Sequence, residues 1–175
     1  MANTPLLSLA IWVPIAAGAL VLMTGGDRNA PLARAMALLG AILGFAVTVP
    51  LWTGFDLGNG GMQFVEFREW IGRFSVNYHL GVDGISMLFV LLNSFITITV
   101  VLAGWKVVDQ KVAQYNAAFL IMSGLLNGIF CALDGVLFYV FFEASLIPLY
   151  LIIGIWGGAR RVYAAFKFFL YTLAG

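Results

Sequence analysis

One carboxylate stands out for where it sits. Glu143 lies inside the apolar run Gly135-VLFYVFFEASLIPLYLIIGIW-Gly157, five residues before Pro148. A charged side chain at mid-bilayer costs roughly 2.5–3.5 kcal/mol on the insertion scale, so such residues face a bundle interior or an ion path. Tyr139, Leu146 and Tyr150 fall at helical offsets −4, +3 and +7 from it. Pro148 has no N–H and crowds the carbonyl four residues back, which frees the Ala144 oxygen beside Glu143. A protonatable group, a free carbonyl and nearby phenols are the chemistry of proton loading and release. Burial raises a carboxylate pKa and a neighbouring cation lowers it, so a moving neighbour can switch the proton on or off. The competing reading is a glutamate that only ties helices together.

The second candidate is Lys167, six residues past Arg161 and so about 9 Å into the membrane by helical rise. Its stem is long enough to snorkel back to the interface. Across a hairpin centred near residue 159, Glu143 lies 16 residues from the turn and Lys167 only 8. Their depths differ by about 12 Å, too far for direct contact between straight helices. The direct basic partner of Glu143 is therefore expected outside this chain.

These residues must be positioned by membrane helices. The chain is 62% hydrophobic and 10% charged, where soluble domains carry about 25% charged residues. That composition excludes a water-soluble enzyme and predicts an all-α, polytopic transmembrane helix bundle within one transmembrane domain, 1–175. Apolar runs of bilayer length predict helices near 5–23, 32–52, 84–104, 115–133 and 135–157, with a sixth starting near Val162. From Val162 to Gly175 the helix would be about 21 Å long, short of the roughly 30 Å core. The expectation is five complete helices, the start of a sixth, and a chain cut from a longer protein.

Arg28, Arg34, Lys106, Lys111, Arg160 and Arg161 fall in alternate loops, which predicts an external N-terminus and a cytoplasmic Arg160-Arg161 loop. The remaining sizeable extramembrane segment, 53–80, is expected to be an external loop or an interfacial helix. Its Phe64, Phe67, Ile71 and Phe74 follow a helical stripe, and a surface helix or a hairpin fits. Asp83-Gly84 reads as a turn with Asp83 capping the third helix, and His79 as interfacial.

Ser86, Asn93 and Thr97 share a face of the third helix. Ser123 and Asn127, with Gly124-x-x-x-Gly128, mark the fourth, and packing is the favoured reading of both sets. Cys131, the single cysteine, reads as a small buried hydrophobe. Metal-ligand clusters, nucleotide-binding glycine loops and nucleophilic triads are not found, and a net charge of +1 without a basic run gives no footprint for nucleic acid.

The strings FFEASLIP and GG-x-RR-x-YAAFKFFLYT, together with His79-LGVDGIS-Ser86, closely resemble the subunit M family of bacterial NADH-quinone oxidoreductase, respiratory complex I (chain 4 in mitochondria). The resemblance implies part of a fourteen-helix, antiporter-like fold with inverted repeats, in the bacterial inner membrane. It implies a proton-translocating subunit that couples electron transfer from NADH to quinone to pumping. Glu143 would be the acidic member of a glutamate–lysine pair whose lysine lies on a later helix. NADH, FMN, iron–sulfur clusters and quinone would be bound elsewhere in the complex, and none by this chain. The implied partners are other membrane subunits, the lipid bilayer and protons. A subunit of a multi-subunit sodium/proton antiporter and a non-transporting scaffold are the alternatives.

Overall fold

Six helices account for most of the molecule. The computed structural model describes residues 5–25 and 29–174. Arg28, counted above among the loop cations, lies outside the described residues. The helices are α1 (Leu6–Leu22), α2 (Ala30–Thr53), α3 (Gly84–Val107), α4 (Val112–Cys131), α5 (Gly135–Trp156) and α6 (Arg161–Ala174). Each lies within a few residues of the span expected from apolar run length. Three of them, α2, α3 and α5, are long and apolar enough to cross a membrane, and α1 is a shorter apolar helix.

The fourth helix is the most polar of the inner ones because it touches mainly protein. α4 packs on α1, α2, α3 and α5. Its Asn116, Ser123 and Asn127 are all buried. Glycine sets its distance from α1: a Cβ at Gly124 would lie 2.4 Å from the Ile11 carbonyl oxygen. Gly18 of α1 returns the contact, since its Cβ would meet Ile121 at 2.8 Å. The G-x-x-x-G of α4 does not serve one partner, however. Gly124 faces α1, whereas Gly128 seats the Phe141 ring of α5, 2.7 Å from where a Cβ would stand.

Polar side chains close the same core. Asn93 Nδ2 of α3 donates to Asn127 Oδ1 at 2.8 Å and to the Ser123 carbonyl at 2.9 Å. Thr97 Oγ1 bonds Ser123 Oγ at 2.8 Å. Asn127 Nδ2 then donates to the Ala10 carbonyl of α1 at 2.9 Å. That oxygen is available because Pro14, four residues on, has no N–H to offer it. The network is bonded from end to end, as a buried polar group in an apolar medium requires.

Residues 63–82 form an antiparallel hairpin of β1 (Gln63–Ile71) and β2 (Val76–Val82), joined through a 3-10 turn at Gly72–Phe74. The helical stripe through Phe64, Phe67, Ile71 and Phe74 is thus corrected: these side chains do not share a helix face. Cross-strand pairing with Val76-Asn-Tyr-His-Leu outweighs a four-residue periodicity that no helix cap supports. Ser86, grouped above with the α3 packing face, instead completes a capping box. Its Oγ accepts from Asp83 N at 2.9 Å, while Asp83 Oδ1 accepts from Ser86 N at 2.7 Å.

The hairpin is tied to the bundle. Leu133 N donates to the His79 carbonyl at 2.9 Å, and Leu80 bridges Ala132. The connections place the ends of the helices alternately. At the far end from the hairpin, Arg34 Nη2 donates to the Val108 carbonyl at 2.9 Å and Trp156 Nε1 to the Gln110 carbonyl at 3.0 Å. Arg34, Lys106, Lys111, Arg160 and Arg161 therefore share one end of the molecule, and Asp83, Asp134 and the hairpin share the other.

Candidate functional site

Asp134 fixes where α5 begins. Its Oδ1 accepts from Val136 N at 2.9 Å and Leu137 N at 3.1 Å, the pattern of an N-cap. Its Oδ2 accepts from Asn77 N of β2 at 3.0 Å. These N–H donors, the Asn77 amide first, hold its carboxyl below the usual range. Backbone and side-chain bonds with Ser86 do the same for Asp83 at the start of α3. Two turns into α5, Phe141 is buried in the Gly128 seat. The cap and the seat together set the height and rotation of Glu143.

Glu143 is half-buried, not buried. The Tyr139 hydroxyl, one turn back, interacts with its carboxylate. Tyr139 itself is 55% exposed, so the pair opens onto the outer surface of this chain. The expected face is only partly assembled. Leu146 is buried, and Tyr150 turns its ring edge-on to Phe166 and Phe169 of α6, at 5.6 and 5.7 Å. Tyr150 thus fastens α5 to α6, and of the two phenols Tyr139 serves the carboxylate. Ser145, also buried, is spent within the helix, its Oγ donating to the Phe142 carbonyl at 2.7 Å.

Lys167 does not reach Glu143. Its Nζ stands 5.9 Å from the ring centres of both Tyr163 and Tyr171, one turn to either side on α6. Among the described residues no ion pair engages either Glu143 or Lys167. The arrangement leaves a carboxylate with one phenol partner, beside a proline-freed carbonyl, in an apolar helix. Among the described residues, no salt bridge would have to break for it to change its protonation. Among the described residues no group of three or more His, Cys, Asp or Glu could hold a metal ion.

Glu66, which no motif or periodicity singles out in the sequence, holds the start of α1. From β1 its Oε1 accepts from Leu7 N at 2.8 Å and Ser8 N at 3.2 Å, and Ser8 Oγ donates to Oε2. Tyr78 adds a hydroxyl contact to Ser8 Oγ at 3.0 Å and accepts from Trp12 Nε1 at 3.3 Å. Pro5 offers α1 no side-chain cap, so a carboxylate from 58 residues away supplies it. The missing cap was the one signal available; its supplier was not.

Known proteins share this architecture. The family model described as NADH:quinone oxidoreductase/Mrp antiporter, TM, matches residues 132–175, which hold Glu143, Pro148 and Lys167. NADH-quinone oxidoreductase subunit M of Rhodobacter capsulatus is 49% identical over 176 residues, 97% of this chain and 33% of that protein. NADH-ubiquinone oxidoreductase chain 4 of Arabidopsis thaliana is 40% identical over 159 residues, 90% of this chain and 32% of that protein. A chain of the respiratory complex I structure from Thermus thermophilus with bound NADH superposes with a TM-score of 0.80 at 32% identity, covering 96% of this chain and 33% of that chain. The protein is an integral membrane protein. Spanning about a third of the length of the relatives it matches, the chain belongs to the subunit M (chain 4) family of NADH-quinone oxidoreductases.

Proposed function

We propose that the chain is part of a proton-translocating membrane subunit of an NADH-quinone oxidoreductase, in which Glu143 loads and releases the proton. The observation that carries this reading is the state of Glu143: a half-buried carboxylate in the apolar α5, touched by Tyr139 and without a cation partner among the described residues. A carboxylate in such a setting is costly, and its presence points to a use. The Ala144 carbonyl, left without its helical donor by Pro148, offers water a second anchor beside it. Electron transfer would drive the cycle from other subunits, which would hold NADH, FMN, the iron–sulfur clusters and quinone.

Lys167 takes a supporting part. Held between two phenols about 12 Å shallower than Glu143, its charge would bias the carboxylate through space or through water. A basic residue on a helix beyond this chain would be the direct partner. Residues 1–175 form one transmembrane unit on this reading, with the hairpin outside a bacterial inner membrane and the Arg160-Arg161 end in the cytoplasm.

The family model's description also joins Mrp antiporters. NADH-driven quinone reduction by the purified parent complex separates the two readings, because an antiporter has no such activity. In the same complex, Glu143→Gln should abolish proton translocation while the subunits stay assembled. Loss of assembly with transport intact in the surviving complexes would instead make Glu143 a helix tie.

A further inference from the structure

The α5 helix is held at both ends, with its weakest point between them. Before Pro148, the Asp134 cap and the Phe141 ring in its Gly128 seat fix the helix to β2 and α4. At Pro148, itself buried, one backbone hydrogen bond is missing and the ring crowds the Ala144 carbonyl. A helix bends most easily at such a position. Beyond it, Tyr150 packs edge-on against Phe166 and Phe169 of α6, and Arg161 Nη1 donates back to the Ile155 carbonyl at 2.9 Å. The turn between the two helices is tight, since a Cβ on Gly157 would stand 2.3 Å from the Ile153 carbonyl. The second half of α5 therefore holds to α6 as one unit.

One side chain ties that unit to the other helices by a hydrogen bond. Trp156 Nε1 donates to the Gln110 carbonyl, in the connection between α3 and α4, at 3.0 Å. Among the described residues no other hydrogen bond joins α6, or α5 beyond Pro148, to α1–α4. The indole stands edge-on to the Tyr115 ring of α4, with centroids 5.3 Å apart. Tyr115 is backed in turn by α3, where a Cβ on Gly104 would lie 2.8 Å from its ring. The accepting carbonyl is equally well held. Arg34 of α2 grips the Val108 carbonyl two residues earlier at 2.9 Å, and Lys111, next in the chain, has a left-handed φ of 53°. A lysine keeps that conformation only where its surroundings impose it. A tryptophan that merely marked the membrane interface would turn its N–H to water or headgroups. This one spends it on a fixed backbone oxygen.

We infer that Trp156 is a positioning residue for Glu143: its bond to the Gln110 carbonyl sets how far α5 opens at Pro148, and so how the Ala144 carbonyl stands beside the carboxylate. The inference rests on the proton reading of Glu143. Trp156 lies 13 residues further along the helix, about 20 Å away by helical rise, and acts only through the bend between them.

The test uses the complete complex reconstituted in vesicles, with assembly checked on native gels. Trp156→Phe keeps a ring for Tyr115 and removes the N–H. Hydrogen exchange should quicken about fivefold at Ile152–Trp156, the scale of one net hydrogen bond, and stay unchanged at Phe138–Phe141. Protons moved per electron should fall by part of the drop that Glu143→Gln causes, and Glu143→Gln/Trp156→Phe should fall no further than Glu143→Gln alone. Trp105→Phe, at the same end of the bundle, should match the wild type in both readouts. Should Trp156→Phe fail to assemble, Trp156→Tyr decides by the same measurements. A wild-type proton ratio in Trp156→Phe overturns the inference and leaves the proton reading of Glu143 standing. A further fall in the double variant also overturns it, because Trp156 would then act elsewhere. A fall in Trp156→Phe while Glu143→Gln keeps the wild-type ratio overturns both.

Discussion

The α1–α3–α4 core and the α5 carboxylate treat polarity inside a membrane in opposite ways. In the core, Asn93, Thr97, Ser123 and Asn127 bond one another and reach the Ala10 carbonyl that Pro14 releases. On α5, Pro148 releases a carbonyl in the same manner, but among the described residues Glu143 keeps only Tyr139. One proline is matched by an amide from a neighbouring helix; for the other, no side-chain donor is found among the described residues. A saturated network locks helices, because changing it strands a polar group in an apolar medium. An unsaturated carboxylate can change its proton without disturbing packing. On the proposed reading, pairing, more than polarity, separates structure from function here.

Breaking the lock should cost more than disturbing anything at the ends of the bundle. Gly124→Val should have the largest effect, because its Cβ would meet backbone, the Ile11 carbonyl, and α1 would have to move. The expected loss is about 3 kcal/mol or more, seen as failure to assemble in native gels. Asn127→Ala comes next. It leaves the Ala10 carbonyl and Asn93 without their partner, at about 1–3 kcal/mol, and should lower the thermal midpoint of the detergent-solubilised complex without altering proton transport in what survives.

Glu66→Gln is milder. It keeps one acceptor for Leu7 N and Ser8 N but removes the charge at the α1 N-terminus, an effect of about 0.3–1 kcal/mol. Hydrogen exchange should quicken at Leu7 and Ser8 and stay unchanged in α4. The smallest effect is in pH. Asp83 and Asp134 have carboxyls held below their ordinary value, so what they contribute is present above about pH 3.9 and is lost as pH falls through the lowered value. The complex should loosen only in strong acid. Asp134→Asn should flatten that acid limb, and a thermal scan against pH checks it.

Much of this was readable from local signals. The helix spans follow from runs of apolar residues, and Asp83 announced the start of α3 by its place before Gly84. Glu143 stood out because nothing else charged shares its helix. What stayed hidden needed two distant segments at once. Glu66 and the α1 N-terminus are 59 residues apart at Leu7, and periodicity cannot see such a pair. The hairpin was masked by a stripe that happened to count as helical. The G-x-x-x-G was visible, but not that its two glycines face different helices. Pro14 and Asn127 could have been linked in principle: one predicts a free carbonyl, the other a donor.

The most direct test compares lock and switch in one assay. Complexes carrying Glu143→Gln or Asn127→Ala are reconstituted in vesicles, and protons moved per electron passed from NADH to quinone are measured at equal electron flux. Glu143→Gln should lower that ratio while Asn127→Ala keeps the wild-type value in the complexes that remain. A wild-type ratio in Glu143→Gln would contradict the assignment of the proton to Glu143.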